Sequence, residues 1–201
     1  MKISDIHTHR YGASDSIYNL PNPDSVVPPG SLISVGLHPW DTNIPDTDSV
    51  VEKIAVMAQN NPSVVAIGET GLDNRRGAPL DRQLQLLLCH ISIAEKTHKP
   101  LILHIVGAWS EIIHLKKQLQ PTTPWIIHGF RGKPALARQL LDAGFYISIG
   151  KHYNPDSVAI IPTDRLFIET DESDTLPVPP SHYDPTLPMR LFDNQSPSGS
   201  L

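Results

Sequence analysis

Two histidines lie two residues apart just after a short apolar segment: Lys2-Ile3-Ser4-Asp5-Ile6 reads as a strand, and His7 and His9 follow at its C-terminal end. Residues i and i+2 of an extended chain project to the same side, so the two imidazoles point together. Neutral imidazole is the commonest protein ligand for borderline divalent ions, which makes the pair half of a metal shell. With ten histidines in 201 residues such spacing also arises by chance. The weight therefore falls on the remaining ligands. Glu69, His104, His128 and Asp171 all fall at the C-terminal ends of further strand-like runs, as does His38. Four nitrogens (His7, His9, His104, His128) and two carboxylates (Glu69, Asp171) are too many for one tetrahedral zinc. They suit two divalent ions sharing a carboxylate, with Mg, Mn and Zn all compatible with the donor set. Glu69, midway along the series, is the expected bridge. Such a pair supports hydrolysis: an ion polarises a phosphoryl or acyl oxygen, the pair lowers the pKa of a water, and a carboxylate takes its proton. Asp171 is the expected general base, so Glu69 and Asp171 are the candidate catalytic residues.

Strands alternating with helices must position this set. The runs at 31–37, 64–68, 100–104, 124–128, 145–149 and 165–169 are short and apolar, as buried parallel strands are. A weaker strand at 16–20 brings the count to eight with the first. Between them the helical spacing of apolar residues predicts helices over 48–60, capped by Asp46 or Thr47, over 81–98, over 108–119, and over 133–142, where Pro134 sits in the first turn and Gly144 ends the helix. Val50, Val51, Ile54, Val56 and Met57 form the expected buried stripe of the first, and Leu84, Leu87, Leu88, Ile91 and Ala94 that of the second. This order implies right-handed βαβ units and an α/β fold, a compact (β/α)₈ TIM barrel. Strand C-terminal ends converge on one face of such a barrel, where all six candidate ligands would meet. Residues 10–30 leave no room for full helices, so the second βα unit is shortened.

The composition fits one compact domain over residues 1–174. Prolines crowd the stretch from Pro21 to Pro29 and again from Pro177 to Pro197. Residues 175–201, rich in Pro and Ser, are expected to be an irregular tail in which the helix closing the barrel is missing. No run of about 18 apolar residues predicts a membrane span. The lone Cys89 is expected to be a buried core thiol, a cytoplasmic location follows from the cysteine usage, and a monomer is favoured. A net charge of −5 does not advertise nucleic-acid binding, but a local patch and metal ions would suffice. Arg75, Arg76 and Arg131, with His38, are the candidate substrate-binding residues on the same face. Trp40 and Phe130 could stack on a base or seal the barrel mouth. His90, His98, His114, His152 and His182 fall in helices, loops or the tail and are read as exposed or core-satisfied. There is no P-loop, no dinucleotide glycine fingerprint and no Gly-x-Ser-x-Gly elbow.

Asp5-Ile6-His7-Thr8-His9, Gly36-Leu37-His38-Pro39, Ile67-Gly68-Glu69-Thr70-Gly71-Leu72-Asp73, His128-Gly129-Phe130 and Glu169-Thr170-Asp171 together resemble the signature segments of the TatD family of metal-dependent hydrolases. The resemblance implies a TIM-barrel, amidohydrolase-like enzyme with two divalent ions and deoxyribonuclease activity. The expected substrate is DNA with single-stranded ends, attacked 3′-5′ by a two-metal-activated water. By that pattern His7, His9, Glu69 and Asp171 hold one ion, and Glu69, His104 and His128 the other. The chain departs from the pattern at Val106, where the family has an arginine, at Ser173, where it has a proline, and in its tail. Two other outcomes fit the same residues: a hydrolase of carboxylic esters or amides, such as an aminoacyl ester, and a metal-binding protein without turnover.

Overall fold

The computed structural model describes residues 2–192. Eight strands follow one another in chain order and pair in parallel: β1 (Asp5–Thr8), β2 (Ser16–Leu20), β3 (Leu32–Val35), β4 (Val64–Asp73), β5 (Leu101–Val106), β6 (Trp125–Ile127), β7 (Tyr146–Ile149) and β8 (Leu166–Ile168). The two ends meet through a parallel bridge between Thr8 and Asp171. There the His9 N–H donates to the Asp171 carbonyl at 3.1 Å, and the Asp171 N–H donates to the His7 carbonyl at 2.9 Å. This is the (β/α)₈ barrel that the alternating pattern predicts. Helices α1 (Thr47–Asn60), α2 (Leu80–Thr97), α3 (Trp109–Leu119) and α4 (Pro134–Asp142) occupy four of the connections, and a single turn, α5 (Pro155–Val158), a fifth. The connections before and after β2 hold none, as the length of residues 10–30 requires.

Strand alternation divides the core in two. Leu101 and Leu103, Trp125 and Ile127, and Leu166 and Ile168 pack outward against the helices. The residues between them, Ile102, Ile126 and Phe167, join Ile6, Ile17 and Ala66 in a second cluster that fills the barrel. The α1 cap is as expected, with the Asp46 carboxylate accepting from the Ser49 N–H.

Four details differ from the sequence reading. Strand β4 does not stop before Glu69 but runs on to Asp73, with a register shift between Ile67 and Thr70. A glycine allows this: Gly68 takes a φ of +143°, and a Cβ there would lie 2.5 Å from the Ile102 carbonyl oxygen. The buried faces of two helices are rotated from their expected positions, leaving Val56 and Leu88 exposed and burying Gln83 and His90. That rotation also puts Cys89 on the outside of α2, so it is not a core thiol. The tail is irregular only over 175–186. Leu187–Phe192 forms a short helix, α6, whose Leu187 and Phe192 are buried in the barrel-filling cluster. Phe192 packs on Phe167 with ring centroids 6.1 Å apart. The apolar residues of this segment are too few to show a period, and burial against the barrel supplies what propensity does not. The remainder of the tail lies outside the described residues. Among those described, no helix is long and apolar enough to cross a membrane.

Replacing Phe192 by Ala should destabilise the protein by about 3 kcal/mol. Urea denaturation would register this as a lower midpoint at unchanged slope. A wild-type midpoint would show that α6 does not plug the barrel.

Candidate metal centre

Glu69 stands at the middle of the barrel mouth and is 3% exposed. Its two oxygens face different partners. Oε2 lies 3.3 Å from His7 Nε2 and 3.5 Å from His9 Nε2. Oε1 lies 2.8 Å from His104 Nδ1, 2.8 Å from His128 Nε2 and 3.2 Å from His38 Nε2. Asp171 Oδ1 completes the first group, 3.8 Å from His7 Nε2 and 3.5 Å from His9 Nε2. The structure thus brings together all six residues expected as ligands, from five strand ends, around one carboxylate.

A second layer of side chains fixes this ring. The Asn19 side chain accepts the Glu69 N–H at 2.9 Å and the Ser34 hydroxyl at 3.2 Å. Glu169 Oε1 lies 3.2 Å from His128 Nδ1 and accepts the Gly129 N–H at 2.6 Å. A carboxylate on the far nitrogen of a ligating histidine sets its tautomer and raises its basicity. Asp5 ties the first strand to the last: it accepts from the Thr170 hydroxyl at 2.6 Å, the Thr170 N–H at 3.1 Å and the His7 N–H at 3.2 Å. Asp171 itself sits at a φ of +55°, a left-handed conformation that asparagine and aspartate adopt most readily among residues with a Cβ. Glycine at position 36 is required by space, because a Cβ there would lie 2.6 Å from the Glu69 carbonyl oxygen.

The charges of the ring compensate one another. Burial alone would raise the Glu69 carboxyl. The charge of His128 and hydrogen bonds from His104, His128 and His38 outweigh that and hold it well below the carboxylate range. Burial alone would likewise depress His128. Glu69 and Glu169 reverse the sign and hold it well above the usual imidazole value. His9 is raised as well, first by its contact with Glu69, against burial. For Asp5 burial wins, and its carboxyl is raised.

This donor set fits divalent ions. Both ring nitrogens of His7, Nε2 of His104 and Oε2 of Glu169 are buried without a hydrogen-bond partner among the described residues. Ligand atoms of His7, His9 and Glu69 lie within 4.8 Å of one another, as do those of His7, His128 and Asp171, and those of His38, Glu69 and His104. His38 differs from the others in one respect. Its Nδ1 accepts the Trp40 backbone N–H at 3.1 Å, so Nε2 carries the proton and donates to Glu69. In that tautomer His38 is a hydrogen-bond donor beside the centre and offers no lone pair to an ion.

Arg75 and Arg131 reach the same face and line a hollow next to the ring. Arg76 instead lies over the Trp40 indole, 4.3 Å from its centroid. Trp40 is braced further by its N–H on Asp73 Oδ2 at 2.7 Å. Phe130 is 2% exposed and seals the mouth, so it is no open stacking surface.

Sequence reasoning missed the supports. Gln83 donates from Nε2 to the carbonyls of Asp73, Arg76 and Ala78 and accepts the Asp73 N–H at 2.7 Å, which folds the loop carrying Arg75 and Arg76. His90, fully buried on α2, accepts the Leu37 N–H at Nε2 (3.0 Å) and donates from Nδ1 to the Leu86 carbonyl (2.7 Å). It thereby holds the segment that presents His38. The available signal was a polar residue on the apolar face of a helix, which demands a buried partner.

Burial pushes the His90 imidazole down to about 4, partly offset by its bond to Leu86. Between that value and an unfolded pKa near ~6.5 the unfolded chain binds the extra proton, so stability falls as pH drops through this window, by on the order of 3 kcal/mol. His90→Leu should be less stable than wild type at neutral pH, with the deficit shrinking toward about pH 5. A deficit constant with pH in parallel urea titrations would contradict this. At His128 the sign is opposite for ion binding: its raised pKa means that an ion must displace a proton, so affinity for Mn²⁺ or Zn²⁺ should rise from about pH 6 to about pH 8. Calorimetry in two buffers of different ionisation enthalpy would show the released proton.

Comparison with known proteins identifies the family of the chain. Residues 25–191 match the sequence profile of a family described as TatD related DNase. An uncharacterised metal-dependent hydrolase of Buchnera aphidicola (subsp. Baizongia pistaciae) is 33% identical over 183 residues, covering 83% of this chain and 68% of its own. The uncharacterised metal-dependent hydrolase YcfH of Escherichia coli K12 is 31% identical over 74% of this chain, which spans only 58% of YcfH. A Rahnella protein named 3′-5′ ssDNA/RNA exonuclease TatD is 31% identical over 72% of this chain and is likewise spanned over 58% of its length. Among solved structures, the TatD homologue YjjV of E. coli superposes with a TM-score of 0.70 at 21% identity, covering 84% of this chain and 78% of that one, which supports the shared barrel. With the family profile matching most of its length, the chain belongs to the TatD-related DNase family of metal-dependent hydrolases.

Proposed function

We propose that this protein is a divalent-metal-dependent phosphodiesterase that trims single-stranded nucleic-acid ends. The observation that carries the reading is the division of Glu69, whose two oxygens each face a separate group of imidazole nitrogens. On this reading His7, His9, Glu69 Oε2 and Asp171 hold one ion, and Glu69 Oε1, His104 and His128 the other. Bound there, the ions supply a Lewis acid for the phosphoryl oxygen and a water of lowered pKa.

The chain's own residues do the rest. Asp171 is 28% exposed and opens on the central hollow, so its carboxylate can take the proton that the attacking water loses. Glu69 is enclosed by imidazoles and serves as the shared anion. Glu169 holds the His128 ring in the orientation that presents Nε2. His38, with its proton on Nε2, donates to Glu69 Oε1 and so orients the shared carboxylate. Arg75 and Arg131 supply the positive charge for phosphate that the residue at Val106 does not. The name of the Rahnella relative supports single-stranded nucleic acid as the substrate class.

Asp171→Asn should lower turnover of a labelled single-stranded oligonucleotide by about 10²–10⁴-fold, and Glu69→Gln should abolish it together with metal stoichiometry. Both are read in the presence of Mg²⁺, Mn²⁺ or Zn²⁺, beside an aminoacyl-ester substrate. Full activity in either variant would sink the mechanism, and turnover of the ester alone would move the chemistry to acyl carbon.

A further inference from the structure

Beside the ring of ligands lies a larger hollow, of about 670 Å³, bounded by the segments that follow β4, β5 and β6. Its inner end is His104, His128 and Asp171, and its wall is Val106, Trp109 and Phe130. The wall is built firmly. Trp109 opens α3 and meets Phe130 edge to face, with centroids 6.3 Å apart at 81°. The Phe130 N–H is bonded to the Ser148 carbonyl at 3.0 Å. Asn74 Nδ2 donates to the Gly107 carbonyl at 2.8 Å, joining the loop that carries Arg75 to the one that carries Trp109. Arg75 and Arg131 line the same hollow, and neither guanidinium has a hydrogen-bond or ion-pair partner among the described residues.

Two unpaired guanidinium groups call for an anion, and their fork geometry suits phosphate or carboxylate. A flat apolar wall calls for a planar ring. Trp40 also borders this hollow and is 44% exposed, but its ring is already engaged: Arg76 lies over it, His38 and His104 meet it edge to face at 4.8 and 5.7 Å, and Asp73 holds its indole N–H. Trp109 is the aromatic left to receive a ring. A hollow of this size lies within the range of small-molecule sites, and it opens directly on the residues that would carry out hydrolysis.

We propose that this hollow is a nucleotide subsite: Trp109 receives the base of the unit next to the scissile bond, and Arg75 and Arg131 receive its phosphate. The proposal rests on the phosphodiesterase reading and deepens it, because the end of the substrate would be recognised by its base as well as its backbone.

The test is equilibrium binding of deoxyadenosine monophosphate and of deoxyribose 5-phosphate to the protein with Mn²⁺ present. Wild type should prefer the nucleotide by at least about 10-fold. Trp109→Ala should erase the preference and Trp109→Phe should keep most of it, which separates loss of the ring from loss of fold. Arg75→Ala and Arg131→Ala should weaken both ligands alike, by about fivefold each. Equal binding of the two ligands by wild type, or an undiminished preference in Trp109→Ala, would overturn the subsite. Oligonucleotide hydrolysis together with equal binding of the two ligands would remove the subsite and leave the phosphodiesterase reading standing. A Trp109-dependent preference for the nucleotide without hydrolysis of any phosphodiester would do the reverse.

Discussion

A carboxylate buried at the centre of a barrel mouth costs several kcal/mol in lost hydration unless positive charge or hydrogen bonds replace the water. Glu69 is that group here. Five imidazoles from the ends of four strands surround it. Most features of the upper face follow from satisfying it. Asn19 takes its N–H, Gly36 leaves room for its carbonyl, and Gly68 lets β4 bulge so that the side chain turns inward. The same compensation makes the centre receptive to cations, because the nitrogens that neutralise Glu69 are also metal donors.

Such a ring works only if the barrel closes. The first and last strands are joined by few backbone hydrogen bonds, and Asp5 adds two more through Thr170. That join lies next to His7, His9 and Asp171, so closure of the barrel and assembly of half the candidate ligand set are one event. At the opposite end, α6 fills the barrel from below through Leu187 and Phe192. Helix α6 therefore supports the fold by burying its apolar residues against the barrel interior. Between these ends, Gln83 and His90 hold the loops over the mouth. Each is a buried polar side chain on α2, and each has its hydrogen-bonding groups met by backbone.

Much of this was legible in the residue order. His7, His9, Glu69, His104, His128 and Asp171 could be assigned to strand ends because each follows a short apolar run, and parallel strands place such ends on one face. The eighth strand in the count, Ser16–Leu20, held in spite of its weak pattern. The expectations for Cys89, Val56 and Leu88 failed for a common reason. A helix packed on a barrel buries the stripe that the sheet curvature selects, and a rotation of part of a turn moves an adjacent residue from core to solvent. Helix α6 was invisible because six residues with a proline carry no usable period.

The sequence by itself determined the barrel, the type of each donor and the side of the barrel on which the donors gather, since these depend on local pattern and on strand direction. Only the tertiary structure decided which oxygen of Glu69 meets which histidine, that the Nδ1 of His38 is taken by the Trp40 backbone N–H, and that Arg75 and Arg131 have no partner among the described residues while Arg76 lies over Trp40. Those outcomes turn on distances of a few tenths of an ångström between residues as far apart in the chain as Asp5 and Thr170. Such distances are set by closure and packing, which no local pattern encodes.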